Sequence, residues 1–394
     1  METKWIFGIA CCAIVSFSSC DNASKADEQH AQADWQDKDT LTQRVALPLG
    51  TLDLPEGFSI SIFADSLTNA RSMSLAPDGT LYVGTRGQGA VYALRDTDGD
   101  YKADRVWTLA TDLNMPNGVA FRDGDLFVAE VNQIRVFRDI ANHLDNPGDG
   151  EIIFDQYPTE RHHGWKYIAF GPDGKLYVPV GAPCNICDPE EEVYAALTRM
   201  NPDGTGMEVV QHGIRNTVGF TWHPDSKELW FTDNGRDMMG DDIPACELNY
   251  APKDGMHFGY PYCHQGDLRD PEFGAQADCS QYTAPVQNLG PHVAPLGVEF
   301  VTSSHFPKAL DRRLLIAEHG SWNRTEKSGY RIMQVVLDEN NQSIAYKPFI
   351  TGWLDKTTDE VWGRPVDMEW MPDGSLLISD DFADCIYRLA FNGR

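Results

Sequence analysis

Apolar and polar residues alternate along many short segments of this chain, and the clearest example lies at residues 161–183. Two alternating runs there, 165–170 and 175–180, flank the turn sequence GPDG at 171–174. Alternation with a period of two is typical of a half-buried β-strand. Pro172 has the backbone angle that the second turn position needs, and Gly174 tolerates a positive φ. The segment therefore predicts two antiparallel strands joined by a hairpin turn.

The same strand-turn-strand pattern recurs along the chain. Six copies occupy residues 72–86, 118–130, 161–183, 218–235, 297–320 and 366–381. The turn aspartates Asp78, Asp123, Asp173 and Asp225 are spaced about fifty residues apart. That period is typical of propeller blades with four short strands each. The repeat predicts an all-β protein, a six-bladed β-propeller over residues 46–394.

The two ends of the repeat region predict how the propeller closes. Only three clear strands remain in the last copy before Arg394, and an alternating segment, GFSISIFA at 57–64, precedes the first copy. We expect this segment to complete the last blade as its outer strand. The spacing is irregular at 237–295, where loops rich in Gly, Pro and Cys predict an insertion on the face that carries the site. A seventh, degraded blade is the alternative.

The N-terminal residues have the pattern of an export signal. Lys4 precedes an apolar run, residues 5–17, that is too short to span a bilayer. The run ends in FSSC, which resembles a bacterial lipobox and predicts cleavage and lipidation at Cys20; ordinary cleavage near Ser19 is the alternative. Residues 21–45 are polar and acidic, which predicts a disordered tether. We expect residues 1–20 to be a lipoprotein signal peptide and the protein to be periplasmic and membrane-anchored.

Cysteine number fits an exported protein. Six cysteines follow the tether: Cys184, Cys187, Cys246, Cys263, Cys279 and Cys385. An even number in an exported chain favours disulfides. The CNIC sequence at 184–187 is most simply a small disulfide, with a redox or zinc half-site as the alternative, and Cys263 and Cys279 are close enough to close a loop. Cys246 and Cys385 can pair only if the fold brings them together.

Charge restricts the partners. The chain has 42% apolar residues, enough for a core, and 59 acidic against 32 basic residues, a net charge of -27. This charge repels nucleic acid, so we expect no nucleic-acid partner. A small ligand fits the composition better.

Polar residues mark one rim of the predicted channel, because the first strand of each blade begins, and the second ends, at the same face. The positions before first strands are Asn117, His163, Arg215, Asn216, His292 and Arg364. Those after second strands are Arg86, Asn234, Gly235, His319, Asp380 and Asp381. Any one of them alone is more often a structural residue. Three arginines and three histidines from separate blades, in so acidic a protein, predict an anionic ligand in the channel.

Several motifs resemble those of the soluble quinoprotein glucose dehydrogenase and sorbosone dehydrogenase family over nearly all of the chain after the tether. They are His163 eight residues before GPDG, GIRN at 213–216, DNGRD at 233–237, the pair Asp241 and Asp242, ELN at 247–249, HFGYPYC at 257–263 and HVAP at 292–295. AEHGSWNR at 317–324 is similar to the pyranose dehydrogenase branch.

This resemblance implies a propeller that binds pyrroloquinoline quinone (PQQ), a tricarboxylate, together with Ca²⁺. It implies that His163 is the general base and that Arg215 stabilises the reduced quinone oxygen. The implied cofactor-binding residues are Arg86, Asn117, Arg215, Asn216, His292, His319 and Arg364. Ca²⁺ would bind the backbone carbonyls of Gly235 and Arg236, with Asp242 holding a bound water. The implied substrate is an aldose or a related sugar aldehyde, oxidised at the anomeric carbon.

The chain also departs from the family. Gly290 replaces an aromatic residue, His292 replaces a threonine, and His319 or Arg324 stands where glucose dehydrogenases have a lysine. We therefore expect a different sugar pocket. No CxxCH haem motif is present, so electrons would pass to an external quinone or cytochrome. The alternatives are a non-catalytic carbohydrate-binding propeller and a calcium-dependent lactonase, which would need carboxylates around the channel axis.

Overall fold

A computed structural model describes residues 46–393 of the chain. The predicted signal peptide, Cys20 and the predicted tether lie outside the described residues. No helix in the described part is both long enough and apolar enough to cross a membrane. The described chain forms six main antiparallel sheets and two small hairpins.

Each main sheet is one blade, and the first strands of neighbouring blades contact each other around the centre. Blade 1 consists of Ala70–Leu75, Leu81–Thr85, Val91–Arg95 and Arg105–Ala110. Blade 2 consists of Gly118–Arg122, Asp125–Ala129, Ile134–Phe137 and Glu151–Phe154. Blade 3 consists of Ala169–Phe170, Leu176–Val180, Ala196–Met200 and Glu208–His212, with Met256–His257 added in parallel at its edge.

The remaining blades follow the same order. Blade 4 consists of Phe220–Trp222, Leu229–Asp233, Ala245–Ala251 and Gln287–Pro291. Blade 5 consists of Pro295–Phe300, Leu314–Glu318, Arg331–Leu337 and Ser343–Ile350. Blade 6 consists of Pro365–Trp370, Leu376–Asp380, Cys385–Phe391 and the N-terminal strand Phe58–Ala64. The hairpins are Cys263–His264 with Leu268–Arg269 and Leu354–Asp355 with Glu360–Val361, and the 3-10 turns are Leu49–Thr51, Ile140–Asn142, Cys279–Gln281 and Lys308–Leu310.

The closure predicted from the sequence is confirmed. Phe58–Ala64 pairs antiparallel with Cys385–Phe391, from Phe58 opposite Phe391 to Ala64 opposite Ile386. The first and last strands of the chain thus share one sheet, so blade 6 has no open outer edge at Cys385–Phe391. With six blades in the described residues, the alternative of a seventh blade is wrong.

The predicted insertion is real but is divided into two loops. The third strand of blade 4, Ala245–Ala251, lies inside the expected range 237–295 and separates loop 234–244 from loop 252–286. The Cys263–Cys279 disulfide closes part of the second loop, and a disulfide also joins Cys184 to Cys187. Both predicted disulfides are therefore confirmed. Cys246 and Cys385 are buried and free, so they form no third disulfide.

Apolar side chains fill the spaces between adjacent blades. Between blades 2 and 3, for example, Phe127 and Val136 pack with Leu176 and Val178 in one buried cluster. Burying one such side chain contributes about 1.5–3 kcal/mol. The alternating pattern therefore does two things: it defines the strands, and it supplies the apolar faces that hold neighbouring blades together.

Candidate active site

One end of the channel carries the residues that the sequence placed on the rim. Asn117 immediately precedes the first strand of blade 2, and Arg364 that of blade 6. Arg86 follows the second strand of blade 1, and His319 that of blade 5. Contacts between blades confirm that these ends meet: the Arg364 Nε donates to the His319 carbonyl at 3.2 Å.

A buried ion pair that the sequence analysis did not predict connects two blades on this side of the channel. The Arg71 NH1 contacts the Asp381 Oδ2 at 2.6 Å, and the Arg71 Nε donates to the Asn117 Oδ1 at 2.6 Å. His319 Nε2 lies 2.7 Å from the other Asp381 oxygen. Arg71 escaped the rule because it lies inside a first strand rather than at its end. An arginine inside the inner strand Ala70–Leu75 was the available signal.

The amide of Asn117 is occupied by protein groups. Besides accepting from Arg71, it donates to the Ser72 Oγ at 3.1 Å and to the Lys166 carbonyl at 2.8 Å. Both of its N–H bonds are used, and the side chain is fully buried. Asn117 therefore orients Arg71 and offers no free donor to a ligand.

Arg86 lies where several positive charges converge. Its guanidinium carbon is 4.0 Å from the centre of the Trp165 ring. Burial, followed by the charge of Arg71, lowers the pKa of Arg86 to about 9; Arg364 acts in the same direction, and Asp381 opposes it. Bringing this many guanidinium groups together is unfavourable, and an anion bound here would relieve the repulsion. This geometry agrees with the expected anion-binding rim.

Two of the rim histidines, His163 and His319, have lowered pKa values. Burial and the Arg364 charge lower the pKa of His319 to about 4, although Asp381 opposes them. Burial, followed by the charges of Arg215 and His162, lowers the pKa of His163 well below its usual range. Both side chains are therefore neutral at pH 7. Arg71 adds a buried guanidinium that the sequence did not place on this rim.

His163 is held as a neutral base. Its Nδ1 lies 2.9 Å from the Ala182 carbonyl, and because a carbonyl can only accept, Nδ1 carries the proton. Nε2 therefore keeps its lone pair. The backbone of His163 has a φ of 50°, in the left-handed region, and a Cβ on Gly181 would lie 2.5 Å from the His163 Cβ. The neighbouring strand thus needs a glycine for the histidine to take this position.

Arg215 lies close to His163, because the Ala182 amide donates to the Arg215 carbonyl at 2.8 Å and the Ala182 carbonyl accepts from the His163 Nδ1. Its Nε donates to the Asn185 carbonyl at 2.9 Å, and its NH1 to the Asn234 carbonyl at 3.2 Å. Its NH2 donates to the Asn185 Oδ1 at 2.8 Å and to the Asp237 Oδ2 at 3.0 Å. The guanidinium is therefore fixed in orientation and only 4% exposed. Asn185 and Asp237 were not among the residues that we predicted from sequence.

The backbone beside Arg215 is anchored by Asp233. Its two carboxylate oxygens accept from the Arg215 and Asn216 amides at 2.9 and 2.7 Å. Burial raises the pKa of Asp233 to about 6, while these two amides lower it. The Asn216 carbonyl accepts from the Asn234 side chain at 3.0 Å. The GIRN turn is thereby locked to the end of the second strand of blade 4.

The three predicted calcium-binding positions lie in one loop, 234–244. Gly235 and Arg236 follow the second strand of blade 4, where the Arg236 NH1 contacts the Asp270 Oδ2 at 2.5 Å. The Asp242 side chain is 90% exposed and lies 3.5 Å from the Arg324 NH2. His292 donates from Nε2 to the Gly240 carbonyl at 2.8 Å and so supports loop 234–244.

Carboxylates do line the channel, deeper than the rim. Glu299 lies on the first strand of blade 5, and Asp367 and Glu369 lie on that of blade 6. Burial raises the pKa of Glu369 to about 8, and Asp367 adds to this. Burial raises the pKa of Asp367 to about 7 and that of Glu299 well above its usual range. The rim rule missed these acids because they lie within strands.

The fold and this rim define a six-bladed β-propeller with an arginine-rich rim at one end of its channel. The chain belongs to the family described as Domain of unknown function (DUF7133), whose profile matches residues 46–388. It is 33% identical over 354 residues to an uncharacterized protein of Borreliella burgdorferi, covering 86% of this chain and 91% of that protein.

The chain is also similar to named enzymes. It is 24% identical over 405 residues to the pyrroloquinoline quinone-dependent pyranose dehydrogenase of Coprinopsis cinerea, covering 85% of this chain and 54% of that protein. The structure of that enzyme's PQQ domain in its holo form superposes with a TM-score of 0.74 at 18% identity, covering 88% of this chain and 98% of that one. A Trichoderma reesei protein of Carbohydrate-Active Enzymes Family AA12 superposes with a TM-score of 0.75 at 22% identity, covering 89% and 100%. These structural matches show a shared fold.

Proposed function

We propose that this protein is a PQQ-dependent dehydrogenase that oxidises an aldose, or a related sugar aldehyde, at its anomeric carbon. The observation that carries the proposal is that a neutral His163, held by the Ala182 carbonyl, lies next to Arg215, whose guanidinium is fixed and whose carbonyl accepts from the Ala182 amide. The similar Coprinopsis cinerea protein is a pyrroloquinoline quinone-dependent pyranose dehydrogenase with a PQQ domain, and this similarity supports the same activity.

The rim residues fit an anionic cofactor. PQQ carries three carboxylates, and Arg86 and Arg364 are the cations best placed to hold them, with Arg71 behind. Asn216 and His319 would complete the pocket wall. Ca²⁺ would sit at the Gly235 and Arg236 carbonyls, since these donors need no side chain; the Arg236 side chain is already paired with Asp270.

When bound, PQQ supplies a quinone that takes two electrons and a hydrogen from the sugar as hydride. His163 takes the remaining proton, from the anomeric hydroxyl, at Nε2. The Nδ1 hydrogen bond to Ala182 preserves the tautomer that can do so. A positioned base of this kind contributes about 10²- to 10⁴-fold. Arg215 stabilises the negative charge that develops on the acceptor oxygen. Loss of hydride and proton converts an aldose to its lactone, and the electrons then leave to an external quinone or cytochrome.

The direct test is reconstitution. Purified protein is titrated with PQQ and Ca²⁺, and sugar-dependent reduction of an artificial dye is measured across a panel of aldoses. The matched control is the alditol of each sugar, which lacks the anomeric hydroxyl and should give no reduction. Protein that binds PQQ yet reduces no dye, or that binds none, would instead favour a non-catalytic carbohydrate-binding propeller.

Lactone hydrolysis is a second candidate because Glu299, Asp367 and Glu369 place carboxyl groups in the channel. A calcium-dependent lactonase needs such groups ionised around the metal. The same preparation, without PQQ, is therefore assayed for calcium-dependent lactone hydrolysis. Activity there that is abolished by Glu369→Gln would favour this second function.

We also propose that Cys20 is lipidated and anchors the protein to a membrane of the periplasm. The short apolar run and FSSC support this. Wild-type protein should fractionate with membranes, whereas Cys20→Ala should be released or remain an unprocessed precursor. Wild-type protein found soluble, with its N-terminus at another residue, would contradict the anchor.

A further inference from the structure

The CNIC peptide, residues 184–187, lies directly against Arg215. Its second residue, Asn185, accepts from Arg215 twice, through its carbonyl at 2.9 Å and its Oδ1 at 2.8 Å. The same Asn185 accepts the Asp237 amide at 2.8 Å and donates to the Asp237 carbonyl at 3.1 Å. Asp237 closes the arrangement by accepting from the Arg215 NH2 at 3.0 Å. One asparagine therefore organises both partners of the ion pair.

These contacts use all but one of the N–H bonds of Arg215. A guanidinium has five N–H bonds. Asn185 takes two, Asp237 one and Asn234 one. The fifth, on NH1, meets no partner among the described residues. Since the plane of the guanidinium is fixed by the other four, the direction of this last N–H is fixed as well.

The peptide is itself braced from two sides. The Cys184–Cys187 disulfide closes it over a sequence separation of 3. The Cys187 amide donates to the Tyr260 hydroxyl at 3.0 Å, and the Tyr262 hydroxyl donates to Asp188 at 2.6 Å. Both tyrosines belong to loop 252–286. The insertion that distinguishes blade 4 thus supports the peptide that holds Arg215.

We propose that Asn185 is a positioning residue, which aims the unused NH1 hydrogen of Arg215 at a ligand oxygen that gains negative charge beside His163. This role rests on the proposed function, because it assigns the oxygen to the bound quinone or sugar. It also explains why a short disulfide-closed peptide lies at the rim: the peptide keeps the asparagine rigid. An asparagine on a free loop would let the guanidinium turn.

The test compares Asn185→Ala with Asn185→Asp. The aspartate keeps the Oδ1 acceptor for Arg215 and for the Asp237 amide but loses the N–H donated to the Asp237 carbonyl, while alanine loses both side-chain groups. The control, Asn201→Ala, removes an asparagine from a turn of the same blade, where its side chain donates to the Thr205 hydroxyl. We expect Asn185→Ala to lower kcat about 10- to 100-fold with little change in KM, because misplacement of a catalytic group by 1 Å can cost that much. Asn185→Asp should retain most of the turnover.

A second readout needs neither cofactor nor sugar. Histidine NMR of the apo-protein follows the titration of His163, which is faced by the charges of Arg215, His162 and Arg86. If Asn185→Ala releases Arg215, the His163 titration should move toward higher pH, and Asn201→Ala should leave it unchanged. Unchanged His163 titration together with wild-type kcat in Asn185→Ala would overturn the proposal. If wild-type protein reduces no dye, the proposed function fails, and the NMR titration still decides whether Asn185 holds Arg215. Circular dichroism and intact mass verify the fold and the disulfide of each variant.

Discussion

At the residue scale, His163 and Arg215 have different partners and therefore different expected roles. His163 is fixed by one hydrogen bond and keeps a free Nε2, as a base requires. Arg215 uses four N–H bonds on the protein and keeps its charge close to the pocket. Substitutions at the two positions should accordingly affect different measurements.

His163→Gln should lower turnover by about 10² or more, because glutamine cannot accept a proton at neutral pH, while PQQ affinity changes little. Arg215→Ala should weaken both turnover and PQQ retention, because it removes a positive charge from the anion site. Steady-state kinetics at saturating PQQ and a separate PQQ titration measure the two effects. Near wild-type turnover in His163→Gln would remove His163 from the chemistry and make His162 the next candidate base.

The pH dependence follows from the environment of His163. An ordinary histidine, with a pKa of about 6.5, would make activity fall as the pH drops through 6 to 7. Burial and the neighbouring Arg215 lower the pKa of His163 well below that value. A base acts only when deprotonated, so a lowered pKa moves the acid limb to lower pH. In the apo-protein, histidine NMR should show His163 still neutral at pH 6; a midpoint at or above 6.5 would show that Arg215 does not face it.

At the element scale, the rim consists of strand ends supported by two segments, the CNIC peptide 184–187 and loop 252–286. Each of these segments contains one disulfide. The two disulfides have different expected effects on stability and on the geometry of the site. The Cys184–Cys187 bond closes a very short peptide, so its entropic contribution is smaller, and its effect is on the position of Asn185. The Cys263–Cys279 bond spans a sequence separation of 16 in loop 252–286 and constrains the unfolded chain more.

Replacing both cysteines of one disulfide at a time by serine should therefore distinguish an effect on the free energy of unfolding from an effect on activity. Cys263→Ser with Cys279→Ser should lower the free energy of unfolding by about 3 kcal/mol on the loop-entropy account. Cys184→Ser with Cys187→Ser should lower it less, by about 1.5–2 kcal/mol on the same account, and lower kcat in the manner of Asn185→Ala. Denaturant unfolding and kinetics on the same preparations check both. Equal losses of stability in the two double variants would contradict the distinction.

At the scale of the whole molecule, the channel brings like charges together from separate blades. Glu299 of blade 5 faces Asp367 and Glu369 of blade 6, and burial together with this proximity raises their pKa values. Because each folded-state pKa lies above the unfolded value, the stabilising contribution is complete below about pH 4. It is lost as the pH rises through 7 to 8, the folded pKa values of Asp367 and Glu369.

Glu369→Gln removes one of these titrating groups. The Tm of this variant should exceed that of wild type by a few degrees at pH 8.5, and the difference should shrink toward pH 5. Thermal unfolding in a chelator, across this pH range, measures it. Glu191→Gln, at an exposed position, is the control and should show no such trend. A difference that is the same at every pH would mean that Glu369 does not titrate in this range.

The sequence by itself determined the blades and their order. Strand periodicity and hairpin turns are local, so the six repeats and the closing strand Phe58–Ala64 were readable directly. The positions at strand ends, such as Asn117 and Arg364, followed from topology alone, because every blade begins and turns at the same faces. The two disulfides were accessible for a similar reason: their cysteines are close in sequence.

Only the tertiary structure decided how these residues are charged and held. Arg71 reaches Asp381 across 310 positions of sequence, and Asn323 reaches Asp237 across 86. No local pattern encodes such contacts. The neutrality of His163 and His319 likewise depends on burial and on arginines from other blades. The contact between Asn185 and Arg215 depended on both the sequence and the tertiary structure. The CNIC motif was visible in the sequence, but its hydrogen bonds to Arg215 followed only from the packing of blade 3 against blade 4. A hydrogen bond depends on distance in space and not on separation along the sequence.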